Sequence, residues 1–125
     1  MIGRSVPDSS VIAMVFFPED VTTRTIRKLG MGSYVTVDRA MADAAQVATK
    51  RIASGADSPD DVKEMLHDAL YSITELCDPI PSAELIDPAL VLACEFTISP
   101  YDALFVAAAV RERGALFKAD KELAS

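Results

Sequence analysis

Apolar and polar positions along the chain change period in a way that predicts short strands separated by helices. Val6 and Pro7 end a short extended start after Arg4-Ser5, since proline removes the donor that a longer strand needs. Ser9-Ser10 then offer N-cap side chains to a helical turn or two over 11–17, which Pro18 closes. Residues 19–29 predict a second helix, with acids first, Arg27 and Lys28 last and Gly30 beyond the end. Tyr34-Val35-Thr36-Val37 is β-branched and short, and reads as a second strand. An alanine-rich helix follows over 39–54, with Met41, Ala45, Ala48 and Ile52 on one stripe and Gly55 at its end.

Ser58-Pro59-Asp60-Asp61 is a strong helix start: an N-cap serine, proline at the first position, and acids in the first turn. Val62, Met65, Leu66, Ala69, Leu70, Ile73 and Leu76 then recur at helical spacing. Residues 77–80 predict a third short strand. A further helix, opened by Ser82 or by Asp87-Pro88 and broken by Pro88 if it forms two pieces, runs to Glu95. Ser99-Pro100-Tyr101-Asp102 repeats the serine, proline and acid start, and that helix reaches 110–114. Ala115-Leu116-Phe117 is an apolar last strand, with a helix start at Lys121. Short strands alternating with helices imply a parallel sheet covered on both faces, an α/β fold in which helices dominate. At 125 residues the chain predicts one domain, 1–125, with a single core.

Charge narrows the partners. Twelve Lys and Arg against nineteen Asp and Glu give a net charge of −7, so no basic excess draws nucleic acid in at long range. Uncharged stretches such as 9–18 and 103–110 are far shorter than the roughly 20 residues that span a bilayer. The early apolar run meets Pro18-Glu19-Asp20 without a small-residue cleavage site, unlike a signal peptide. The expectation is a soluble, cytoplasmic protein with no membrane partner. Cys77 and Cys94 have neither C-x-x-C spacing nor nearby histidines, so they read as reduced core positions rather than zinc ligands. His67 lies on the polar side of its helix among Lys63, Glu64 and Asp68, a surface position.

Position matters more than the sum. In open parallel α/β sheets, ligands bind outside the carboxyl ends of the strands. Asp8 follows the first predicted strand and Asp120 the last, while Asp102 opens the helix that leads into the last strand. A right-handed crossover starts that helix near the same edge. Three carboxylates grouped there repel one another unless a cation neutralises them, and a hard divalent ion prefers oxygen ligands. The chemistry suggested is attack of water on a phosphoester assisted by Mg²⁺ or Mn²⁺. Each acid equally suits a helix cap: Asp8 for the first helix, Asp102 within a capping box on Ser99, and Asp120 for the terminal helix.

The stretch Ile98-Ser99-Pro100-Tyr101-Asp102-Ala103-Leu104-Phe105-Val106-Ala107-Ala108-Ala109 resembles the S-x-Y-D-A-L-x-V-A-x-A helix of PIN-domain proteins. Gly114-Ala115-Leu116-Phe117-Lys118-Ala119-Asp120-Lys121-Glu122-Leu123 resembles that family's G-x-x-L-x-T-x-D-x-x-L ending, and Asp8-Ser9-Ser10-Val11-Ile12 its D-x-S-V-I opening. Order and spacing agree across nearly the whole chain, at the size of VapC-type toxins and their archaeal relatives. The resemblance implies a three-layer α/β/α sandwich around a central parallel sheet of four to five short strands. It also implies an endoribonuclease with one or two Mg²⁺ or Mn²⁺ ions, an RNA substrate, an antitoxin partner and a homodimer.

Asp8, Asp102 and Asp120 fall on three of the family's four acids. The fourth, a Glu in D-x-x-L-x-E-x-x-N-x-L, is replaced by the shorter Asp43, with Gln46 at the Asn position. At about 100° per residue Asp43 lies nearly opposite the Met41–Ile52 stripe, beside Arg39, Gln46 and Lys50: a solvated face or a cleft wall. Ser10 takes the family's hydroxyl position, which orients Asp8 or a metal-bound water, and it suits an N-cap as well. Lys118 stands where the family has Thr or Ser, where an ammonium can pair with the carboxylates, point away or meet a phosphate. Arg24, Arg27 and Lys28 cluster on one helix, with Lys50 and Arg51 on another, as candidate phosphate contacts. The alternative is a non-catalytic PIN-like binding module with a degraded metal site. A phosphoacceptor domain also groups acids at a sheet edge, but the acid order and the late Asp102 helix disfavour it.

Overall fold

Four short runs of extended residues in a computed structural model, which describes residues 3–17 and 34–118, form parallel strand pairs amid helices. Strand β1 (Val6–Pro7) pairs with β4 (Leu116–Phe117), and β2 (Val35–Val37) pairs with β3 (Asp78–Ile80). A parallel bridge from Ser5 to Tyr34 links the two pairs, and the Val35 amide donates to the Ser5 carbonyl at 3.0 Å. The helices are α1 (Ser9–Phe16), α2 (Arg39–Ser54), α3 (Pro59–Tyr71), α4 (Ile86–Phe96) and α5 (Pro100–Glu112). The arrangement is α/β and mostly helical, with short parallel strands. The helices expected over 19–29 and from Lys121 lie outside the described residues.

Local chemistry explains most boundaries. Ser58 and Ser99 each accept a backbone N–H from the residue three further on, Asp61 at 3.2 Å and Asp102 at 3.1 Å, and proline follows each cap. Helix α2 ends on Gly55 at φ +73, a left-handed conformation that costs glycine nothing. Pro88 does not break α4; it sits in the first turn, where its missing N–H has no carbonyl to bond. The break lies earlier, at Leu85, which separates a 3₁₀ turn over Ser82–Glu84 from the helix.

The core gathers Val6, Val35 and Val37 from the strands with Val62, Ala69 and Ile73 from the α3 segment and Ala103, Phe105 and Ala108 from α5. Burying a valine contributes about 1.5–3 kcal/mol, so these small strands are held by packing more than by their few ladder bonds. Helix α5 is buried around most of its girth, and its alanines let β1, β2 and α4 approach closely. Among the described residues no single helix is long and apolar enough to cross a membrane.

Three details depart from the expected pattern. The buried stripe of α2 is Ala40, Ala44 and Ala48, whereas Ala45 and Ile52 are exposed. An alanine-rich surface has similar apolar sides, and contact with α1 and α3 selects the one that packs. Leu76 is exposed because a π-helical turn over Ser72–Leu76 continues α3 with a wider turn and shifts the phase of the repeat. Cys94 is exposed on α4 rather than buried; Cys77 is half-buried, and both thiols are free.

Candidate functional site

At the carboxyl end of β1 the chain turns directly into α1, and Asp8 stands at that junction. Its amide donates to the Phe117 carbonyl at 2.9 Å, extending the β1–β4 ladder by one bond. Thr36 Oγ1 donates to the Pro7 carbonyl at 3.1 Å, which ties the preceding peptide to β2. Of the cap candidates in the sequence, Asp8 and the serines at 9 and 10, it is Asp8 that caps α1. Its Oδ1 accepts from the Ser10 amide at 3.0 Å, the Val11 amide at 3.2 Å and Ser10 Oγ at 2.5 Å. Ser10 thus donates to Asp8 through both its amide and its hydroxyl. The residue is only 8% exposed, and the helix N-terminus favours its charge. No hydrogen bond from a described residue reaches Oδ2.

Asp102 enters from the other end of the chain, in the first turn of α5, exposed and without a side-chain partner among the described residues. Among the described residues its carboxylate meets no hydrogen-bond donor, while its amide serves the Ser99 cap. Asp43, one turn into α2, is held differently. Ser9 Oγ donates to its Oδ2 in a short bond, and Arg39 Nε donates to its Oδ1 at 3.0 Å. The Arg39 guanidinium carbon lies 3.9 Å from the centroid of the Tyr101 ring, so the cation is placed between the carboxylate and an aromatic face.

These acids come together. Asp8, Asp43 and Asp102 line one cavity of about 360 Å³, with Ser9, Ser10, Gln46, Lys50, Ser99, Tyr101 and Phe105 among the other walls. The polar face of α2 is therefore a cleft wall. Lys50 is the cation on that wall among the described residues. Lys118 is exposed after β4 and is not among these lining residues. Asp120, Arg24, Arg27 and Lys28 lie outside the described residues. His67 is exposed on α3, as expected.

The donor set suits a hard divalent cation in part. Asp8 and Asp102 offer carboxylate oxygens, the ligands Mg²⁺ and Mn²⁺ prefer. Asp43 is a third carboxylate at the cavity, and each of its oxygens accepts one hydrogen bond. Among the described residues, no three acids, histidines and cysteines form a metal-ligating group. The i, i+4 spacing of Arg39 and Asp43 was visible along α2, but nothing local signalled that Ser9 and Tyr101 complete their surroundings.

No family model matches the chain. Over 122 residues, covering 97% of this chain and 92% of the relative, it is 28% identical to ribonuclease VapC3 of Pyrobaculum aerophilum. The chain is similar to a ribonuclease from end to end. That similarity spans the segments that carry Asp8, Asp43 and Asp102.

Proposed function

We propose that this protein is a metal-dependent endoribonuclease of the PIN type, the toxin of a toxin–antitoxin pair acting in the cytoplasm. The observation that carries the reading is the convergence of Asp8 and Asp102, from opposite ends of the chain, on one cavity with open carboxylate oxygens. The similarity to a protein named ribonuclease VapC3 supports an RNA substrate, and the resemblance to VapC-type toxins supports an antitoxin partner. In this reading Asp8 and Asp102, with Asp120, would hold Mg²⁺ or Mn²⁺. Held there, such an ion would supply Lewis-acid chemistry, neutralising phosphodiester charge and acidifying water.

The chain's own residues do the rest. Ser10 fixes the rotamer of Asp8 through its hydroxyl and amide, so one carboxylate oxygen is committed to the cap. Lys50 faces the same cavity and suits a phosphate flanking the cleaved bond. Arg24, Arg27, Lys28 and Lys118 are assigned further phosphate contacts. The complete fold is assigned as a three-layer sandwich with a four- to five-stranded sheet, in a single domain. Exposed Ile86, Leu90, Val91 and Phe96 on α4 give a homodimer an apolar surface to bury.

The test is cleavage of single-stranded RNA in Mn²⁺ or Mg²⁺ by the wild type, Asp8→Asn and Asp102→Asn. The reading expects activity in the wild type alone and none in excess chelator; cleavage that survives either substitution contradicts it. The engagement of Asp43 by Arg39 favours a second reading, a module that binds RNA without cutting it. Retention of labelled RNA by the wild type, with no cleavage at any metal concentration, would select that reading.

A further inference from the structure

Asp43 is placed where the resemblance puts a metal ligand, yet its surroundings are those of a neutralised charge. Each of its two oxygens accepts a hydrogen bond, from Ser9 of α1 and from Arg39 of α2 itself. Arg39 is in turn stacked on Tyr101 of α5, at 3.9 Å from the ring centroid. Both partners are largely withdrawn from water, with side chains 30% and 20% exposed for Arg39 and Asp43. A guanidinium is suited to this double task, since its planar face stacks while its edge donates. The ion pair and the stack thus bind three cavity walls together around Asp43.

We infer that Arg39 is the resident counter-cation of Asp43, a positioning residue that withholds this acid from a divalent ion and leaves Asp8 and Asp102 to bind it. The inference rests on the metal-site reading above and adds a division of labour among the acids. Arg39 satisfies the charge of Asp43 permanently, so a metal entering the cavity finds two open carboxylates rather than three. Removing the guanidinium while keeping the carboxylate releases a further anionic ligand beside the cavity, and cation affinity rises. Removing the carboxylate costs little affinity, because it was already neutralised.

The experiment is a Mn²⁺ titration of the full chain, followed by loss of the free-ion electron paramagnetic resonance signal, for wild type, Asp43→Asn, Arg39→Gln and Arg39→Lys. Circular dichroism verifies that each variant is folded, and Arg39→Lys keeps a positive charge should Arg39→Gln fail to fold. Asp43→Asn is expected to bind Mn²⁺ within about threefold of wild type, and Arg39→Gln to bind about tenfold more tightly or better, as expected when an acid loses its counter-charge. Arg39→Lys is expected to stay near wild type. The inference is overturned if Asp43→Asn weakens Mn²⁺ binding more than about tenfold, as removal of a carboxylate ligand does. It is equally overturned if Arg39→Gln leaves the affinity unchanged, or if no variant binds Mn²⁺. Failure of the ribonuclease reading looks different: the affinities keep the expected order while RNA remains intact.

Discussion

Substituting Asp8 separates the structural duty of this residue from its chemical one. Asp8→Asn keeps an oxygen where Oδ1 now accepts from the Ser10 amide at 3.0 Å, the Val11 amide at 3.2 Å and Ser10 Oγ at 2.5 Å. Asparagine is as good an N-cap as aspartate, so the loss is confined to the attraction between charge and helix dipole, about 0.3–1 kcal/mol. Relief of burying a carboxylate that is only 8% exposed acts in the opposite direction. Asp8→Asn is therefore expected within about 1 kcal/mol of wild type.

Asp8→Ala removes the acceptor for all three donors. Loss of a cap costs about 0.5–2 kcal/mol, and unpaired donors at a buried junction bring the total to about 2–3 kcal/mol. Urea unfolding followed by circular dichroism, in chelator so that ion binding does not contribute, measures both variants. RNA cleavage measured in parallel should be lost in both. An asparagine variant as destabilised as the alanine one would refute the capping argument, as would an alanine variant of wild-type stability.

Other consequences are equally concrete. A Cβ at Gly114 would stand 1.8 Å from the Arg4 carbonyl oxygen, so Gly114→Ala must part the two segments by about 1.5 Å to reach ordinary C···O contact. That strains the bonds Gly3 N–H to Arg113 O at 3.0 Å and Val6 N–H to Ala115 O at 2.8 Å. The expected destabilisation in urea is about 2–4 kcal/mol, and a change below about 0.5 kcal/mol contradicts it. Burial raises the pKa of the Cys77 thiol above its ordinary value, which lowers its thiolate fraction at any given pH, whereas Cys94 is exposed. Iodoacetamide at neutral pH should label Cys94 about tenfold faster or more, with the gap narrowing as pH rises through the thiol range; equal rates at neutral pH refute this. If α4 forms the homodimer surface, Leu90→Lys should convert a dimer to a monomer in a solution mass measurement, and an unchanged mass excludes that face.

What could be read along the chain was governed by how local its cause is. The starts of α3 and α5 were legible because Ser58-Pro59 and Ser99-Pro100 carry their capping donors and acceptors within three residues. β2 and β3 were legible as short extended runs, though their pairing was not. The buried side of α2 depended on which alanines meet α1 and α3, and the exposure of Leu76 on a π turn without a local signal. The same division runs through the site. Asp8 and Asp102 could be brought to one edge by topology, since strand ends and crossover handedness are rules of the fold. The Ser9 and Tyr101 contacts around Asp43 and Arg39 are meetings of distant segments, which periodicity does not encode.

The account rests most heavily on Asp8 and Asp102 sharing a divalent ion. An anomalous difference map from a crystal grown with Mn²⁺ tests this directly. The account predicts a peak in the cavity bound by both Asp8 and Asp102, with Arg39 still paired to Asp43. A map with no peak between Asp8 and Asp102 would contradict it.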